Sequence, residues 1–144
     1  MLTKRQSSDI ISSVDTSSED ISRVNIARIN IGGVALHDKL IKKYIPMTET
    51  IYYALCAMNN SRHGYGIMQF VAELTDNRVK MGAGTLYTML GRLLEDELIY
   101  IVSEENGKKV YGITETGREL LFMETVRLGK QLENGMAVLG ERRE

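Results

Sequence analysis

The segment Gly84-Thr85-Leu86-Tyr87-Thr88-Met89-Leu90-Gly91-Arg92-Leu93-Leu94 constrains this chain more than any other. Its leucines and methionine keep helical spacing while Thr85, Thr88 and Arg92 line up opposite, so one face of the predicted helix belongs to a core and the other faces outward. Leu98-Ile99 closes this helix, and Tyr100 to Glu105 and Lys108 to Ile113 then read as strands with Asn106-Gly107 between them. Asn-Gly is the strongest short hairpin signal, because both central residues of a type I′ turn need positive φ. A helix followed at this distance by a hairpin with Lys108 and Lys109 beside its tip predicts a winged helix, mainly α with a small β-hairpin.

The upstream sequence supplies the rest of that architecture. Thr48 is a good helix cap, and Ile51, Tyr52, Leu55 and Met58 follow it at three- and four-residue spacing. Asn59-Asn60-Ser61 is turn chemistry, after which His63-Gly64-Tyr65-Gly66 opens a second helix with Ile67, Phe70, Val71 and Leu74 as its stripe, ending near Thr75. Asp76-Asn77 turns the chain and Arg78-Val79-Lys80 reads as a short strand that pairs with the hairpin. The predicted order is helix, helix, short strand, helix, hairpin.

After the hairpin, Thr114 to Glu119 reads as a cap and first helical turn, with Thr116 and Glu119 at capping-box spacing. Hydrophobic residues then run to Leu139 on more than one face. One stripe can pack back on the first helix, which leaves Leu121, Leu128, Leu132, Met136 and Leu139 for a second chain. About 25 residues at 1.5 Å each give roughly 37 Å, longer than so small a domain needs. The expectation is a carboxy-terminal dimerisation helix over residues 115–144 and a winged-helix domain over residues 47–114. A wide intramolecular core face is the alternative reading of the same leucines.

Residues 1–46 are set apart as an amino-terminal extension. To about Asp20 the sequence is rich in Ser, Thr and Asp without a sustained period, which predicts disorder. Leu36, Leu40, Ile41 and Tyr44 then have helical spacing before Pro46, the sole proline, so the extension is disordered or weakly helical; this piece is either a short docking helix or no part of the functional unit, since Met47 stands where an independent translation start would fit.

Composition removes several classes of function. With 144 residues and 43% hydrophobic content the chain can bury one modest core, leaving no room for a second catalytic domain. No apolar run approaches the roughly 18 residues of a membrane span and the amino terminus lacks the order of a secretory signal, so a cytoplasmic protein is expected. The lone Cys56 sits on an apolar helix and reads as a small buried hydrophobe. His37 and His63 are far apart with no Cys or Asp cluster to join them, so neither a catalytic group nor a metal site is expected, and no cofactor. The glycine pairs at 64/66 and 82/84 do not fit a nucleotide-binding loop.

The net charge of −1 argues against indiscriminate coating of nucleic acid, yet a specific reader needs only a few well-placed cations. Residues 1–46 hold seven Lys and Arg against five acids, leaving the remainder net acidic by three and its cations correspondingly informative. Small Gly82, Ala83 and Gly84 would let a first helical turn approach base edges in a major groove. The candidate DNA contacts are His63, Tyr65, Lys80, Gly84, Thr85, Tyr87, Thr88, Arg92, Lys108 and Lys109, with Arg92 as the strong contact. In the bland reading the glycines mark a loop, Thr85 caps a helix, His63 stabilises a turn and the lysines aid solubility. Glu104 and Glu105 can also pair across the strands with those lysines.

Three stretches in order, His63-Gly64-Tyr65-Gly66-Ile67, then Gly84-Thr85-Leu86-Tyr87 with Leu90 and Leu93, then Tyr111-Gly112-Ile113-Thr114-Glu115-Thr116-Gly117, resemble the PadR-like family of winged-helix transcriptional regulators. The resemblance runs from about Met47 to Gly140. It implies a homodimer that binds double-stranded DNA, usually as a repressor at a palindromic operator, whose carboxy-terminal helix swaps contacts with its partner and whose binding is relieved by small aromatic molecules. Ala83 and Thr88 stand where relatives often carry proline or serine and proline, so the bases read should differ. The short carboxy-terminal part resembles the subgroup with one terminal helix, leaving a cleft at the dimer interface for a flat apolar effector. A winged helix used as a protein interaction module, which the acidic balance of residues 47–144 suits, is the rival reading.

Overall fold

The computed structural model describes residues 34–141. Expectations for residues 1–33 lie outside the described residues. The elements in order are α1 (Val34–Tyr44), α2 (Glu49–Ala57), β1 (Arg62–His63), α3 (Gly64–Leu74), α4 (Ala83–Glu95), β2 (Ile99–Glu105), β3 (Lys108–Ile113) and α5 (Glu115–Glu141). The fold is mainly helical with a small antiparallel sheet and a long last helix, the winged-helix arrangement.

The sequence stripes bury as their spacing requires. Leu86, Leu90 and Leu93 of α4 meet Leu55 of α2, Ile67 and Val71 of α3, and Leu98 in one core. Each such side chain taken out of water contributes roughly 1.5–3 kcal/mol. Thr48 caps α2, its side chain accepting from the Ile51 amide. The hairpin closes as predicted, with φ of 52° at Asn106 and 75° at Gly107.

Three sequence expectations change. The short strand is Arg62–His63 rather than Arg78-Val79-Lys80, and it pairs with β3 through Arg62 opposite Tyr111 and His63 opposite Val110, giving the strand order β1-β3-β2. Residues 78–80 are held in a turn instead. Asp76 and Asn77 have positive φ, the Val79 amide donates to Thr75 Oγ1 at 3.1 Å, and Arg78 reaches Glu49 on α2 at 2.8 Å. The chain order is therefore helix, strand, helix, helix, hairpin.

Second, α1 falls within the stretch set apart as an extension, and it belongs to the common core, where Leu40 and Tyr44 are buried. Its polar side chains fasten it at both ends. Lys43 Nζ lies 2.6 Å from Asp96 Oδ2 and the Tyr44 hydroxyl donates to the same carboxylate, while His37 Nε2 lies 3.1 Å from Glu119 of α5. These two donors, Lys43 first, hold the Asp96 carboxyl below its ordinary range, and burial together with Asp96 raises Tyr44 far above its own.

Third, Thr114 rather than Thr116 caps α5. Its hydroxyl accepts from the Gly117 amide at 3.1 Å and donates to the Glu97 carbonyl at 2.7 Å, while Glu119, expected in a capping box, faces His37. A Cβ at Gly117 would stand 2.1 Å from the Leu98 carbonyl oxygen, so only glycine lets α5 start against the α4–β2 turn.

The first half of α5 packs on the core through Leu120, and Tyr52 of α2 meets Thr125 at 2.9 Å. Glu124 is 1% exposed and accepts from Arg127 and from the Met47 amide, which offsets the cost of burying a carboxylate. Beyond Arg127 the helix is exposed.

Candidate nucleic-acid interface

Helix α4 projects between two grooves. Opposite its buried stripe, Gly84, Thr88 and Gly91 recur at helical spacing and form a crest. A Cβ on Gly84 or Gly91 would meet nothing within 4 Å, so no packing among the described residues requires glycine there. Glycine in a helix costs about 1 kcal/mol relative to alanine. The crest is thus low at the expense of helix stability.

The first groove, about 950 Å³, lies between the crest and the wing. His63, Tyr65, Tyr87, Lys108 and Lys109 all line it, so β1, the start of α3, α4 and the hairpin tip converge there. Tyr87 crosses to α3, its hydroxyl filling the place where a Cβ of residue 64 would stand, which is why Gly64 lets the two helix starts approach. Tyr65 remains 66% exposed. Burial, followed by the proximity of Tyr87, raises the Tyr111 hydroxyl above its ordinary value. His63 Nε2 lies 3.5 Å from Glu105 Oε2, and its buried Nδ1 has no partner.

Register places Glu104 opposite Lys109 and Glu105 opposite Lys108, yet neither lysine forms an ion pair among the described residues. Their ammonium groups stay available at the tip. A bulge between Ile101 and Ser103 leaves Val102 unpaired and adds local twist to the wing.

The second groove, about 680 Å³, flanks the other side of α4. Thr85 and Arg92 line it with Thr48 and Thr50 from the start of α2 and Lys43 from the end of α1. Thr88, at its edge, donates to the Gly84 carbonyl at 2.9 Å.

The sequence pattern of the Transcriptional regulator PadR-like family matches residues 54–122, from within α2 through the wing into α5. The chain carries a PadR-like domain. Over 59 residues it is 37% identical to "Transcriptional regulator YqjI" of Escherichia coli (strain K12), and equally to the "Uncharacterized protein YqjI" of Shigella flexneri. Each match takes in 41% of this chain and 28% of the relative, so most of those proteins has no counterpart here. Among solved structures, RosR of H. salinarum superposes with a TM-score of 0.53 over 69% of this chain and 96% of that one, at 15% identity. A second RosR structure gives 0.52 over 69% and 94%. That likeness is one of fold.

Within the PadR-like domain the sequence-predicted residues divide. The wing-side groove gathers His63, Tyr65, Tyr87, Lys108 and Lys109. The far groove gathers Gly84, Thr85, Thr88 and Arg92. Lys80, exposed in the loop before α4, joins neither. Sequence reasoning placed Thr85, Thr88 and Arg92 on one outward line. The 3.6-residue period instead puts Thr88 on the crest and the other two on the flank toward α1 and α2. It also missed Lys43, Thr48 and Thr50, because Thr48 was spoken for as a cap and Lys43 belonged to the supposed extension.

The dimerisation candidates divide as well. Leu128, Leu132, Met136 and Leu139 are exposed, Leu132 at 65% and Met136 at 63%, while Leu121 packs against the edge of the core. Cys56 is half-buried on α2, and desolvation pushes its thiol up to about 11, far from a reactive thiolate. His37 and His63 have separate carboxylate neighbours, and no group of potential metal ligands occurs among the described residues. No helix among them is long and apolar enough to cross a membrane.

Proposed function

We propose that the protein is a sequence-specific DNA-binding transcriptional regulator, a repressor that binds a palindromic operator as a homodimer. The observation that carries this reading is the glycine crest of α4 standing between two grooves. A major groove about 12 Å wide admits a helix, a low leading surface lets its backbone come close to the base edges, and the two phosphate walls then fall on either side of that helix. The wing lysines, Tyr65 and Tyr87 would supply one wall with donors, and the crest of Gly84, Thr88 and Gly91 would face the base edges.

Homodimerisation rests on the exposed stripe of α5, where Leu128, Leu132, Met136 and Leu139 recur on a helix that leaves its own domain behind. Such a row in water favours a second copy. A small aromatic effector that relieves binding would enter the cleft formed where two such helices meet.

Enrichment of bound sequences from random DNA tests the reading. The expected product is an inverted repeat with half-sites one turn apart, about 34–36 Å, or a multiple of that. Light scattering after size exclusion should give a dimer mass. Failure to bind any duplex at low salt would favour the rival, a winged-helix protein interaction module.

A further inference from the structure

We infer that the groove between α4, α2 and α1 is a second seat for the DNA phosphate backbone, on the side of α4 opposite the wing, with α1 as part of the binding surface. The inference rests on the DNA-binding reading above and adds Lys43, Thr48 and Thr50 to the contacts expected from sequence.

The lining of this groove is that of a phosphate site. It presents the cations Lys43 and Arg92 and the hydroxyls of Thr48, Thr50 and Thr85, and no carboxylate lines it. The wing-side groove, by contrast, contains Glu105. Of the nearby acids, Glu95 faces Tyr44 without a partner among the described residues, while Glu49 and Asp96 are paired. Glu49, in the first turn of α2, lies 2.8 Å from Arg78, and Asp96 receives Lys43 and Tyr44.

The positive groups are positioned without being consumed. Arg92 forms no ion pair among the described residues, and the Thr50 and Thr85 hydroxyls have no hydrogen-bond partner there. Lys43 is 56% exposed although paired, so two of its three ammonium hydrogens remain for an oxygen of a passing strand.

Position fits the same occupant. A duplex whose major groove holds the α4 crest has one backbone against the wing and the other about a groove width away, on the flank where this cleft runs along α4 from Gly84 to Leu93. Helix α1 lies outside the residues matched by the PadR-like pattern, and its last turn carries Lys42 and Lys43, with Lys39 one turn earlier. Of these, Lys43 lines the groove beside α4, a cation that the matched segment lacks.

The test uses the full chain and a mixed-sequence DNA duplex, since backbone contacts do not depend on sequence. Thr50→Asp is the decisive variant. An acid in the first turn of α2 favours the helix, so folding is preserved while a negative charge enters the groove. Lys43→Ala removes a cation directly, and Lys108→Ala is the wing-side control. The expected result is that Thr50→Asp binds about tenfold more weakly with an unchanged or raised melting temperature. Thr50→Asp and Lys43→Ala should each also lower the slope of log affinity against log salt by about 0.9, the value of one phosphate contact. If both bind with wild-type affinity and slope while Lys108→Ala loses slope, the second seat is overturned and the DNA reading stands. If the wild-type chain binds no duplex at low salt, both fall.

Discussion

One substitution, glycine to alanine, should have opposite consequences at Gly91 and Gly117, and the contrast examines the site. At Gly91, in the middle of α4, the added methyl meets open space. Only helix propensity changes, which favours alanine by about 1 kcal/mol. With about 2.1 cal/mol/K of unfolding entropy per residue, a domain of this size should melt roughly 4 °C higher. DNA binding should move the other way. A methyl on the crest holds the helix off the base edges, and an affinity loss of about tenfold, 1.4 kcal/mol, is expected.

At Gly117 the same methyl would stand 2.1 Å from the Leu98 carbonyl oxygen and 2.9 Å from Ile113 Cγ1. That carbonyl accepts from the Thr114 amide at 3.0 Å, so it cannot retreat without breaking the corner. Overpacking against backbone outweighs the propensity gain, and a net loss of about 3 kcal/mol is expected. Thermal unfolding followed by circular dichroism, with fluorescence anisotropy on a labelled operator, reads both quantities. A lower melting temperature for Gly91→Ala would refute the open crest. A higher one with unchanged DNA affinity would show that the crest does not meet DNA.

The acid limb of stability should report the ties of α1 and α5. Asp96, held down by Lys43 and then Tyr44, and Glu124, held down chiefly by Arg127, have ordinary values of 3.8 and 4.5. A depressed carboxylate stabilises the fold fully above its unfolded value and loses that contribution as pH falls toward its folded one, so this stabilisation should decline below about pH 4.5. Asp96→Asn and Glu124→Gln should flatten the decline in pH-dependent thermal melts, and an unchanged profile would remove these pairs from the account. Separately, Thr114→Ala should cost about 1–2 kcal/mol in urea unfolding, with Thr114→Ser restoring most of it, because the hydroxyl both caps α5 and satisfies Glu97.

What was legible in the sequence was what local chemistry decides. Leu86, Leu90 and Leu93 name the buried face of α4 by period alone, and Asn106-Gly107 fixes the hairpin because few other pairs tolerate positive φ at both positions. β1 was illegible, since two residues show no period and Arg62 and His63 become a strand only by pairing with β3. The spacing of Leu40 and Tyr44 allowed a docking helix at α1 but did not say what it docks on. Its anchors are Asp96, 53 residues from Lys43, and Glu119, 82 residues from His37. The far groove follows from that packing, because its Lys43, Thr50 and Arg92 come from three helices and share no motif. The wing-side groove was easier, its residues sitting at the turn and helix starts that carry the motifs.

The ties that brought α1 into the core also constrain how a dimer could work. Thr114 and Gly117 lock the start of α5 to the α4–β2 turn, Glu119 holds α1 through His37, and Glu124 holds the Met47 amide beside the start of α2. From Glu115 to Arg127, α5 is therefore one body with α4, and a rotation of this segment carries the crest with it. The part beyond Arg127, exposed all round, carries the leucine and methionine row that would meet a second copy. In the proposed dimer, the distance between the two α4 crests is then set by the crossing of those distal segments, where Leu132 and Met136 lie. An effector that alters operator binding without touching DNA must change that crossing, and it must do so past Arg127, since every tie before it resists.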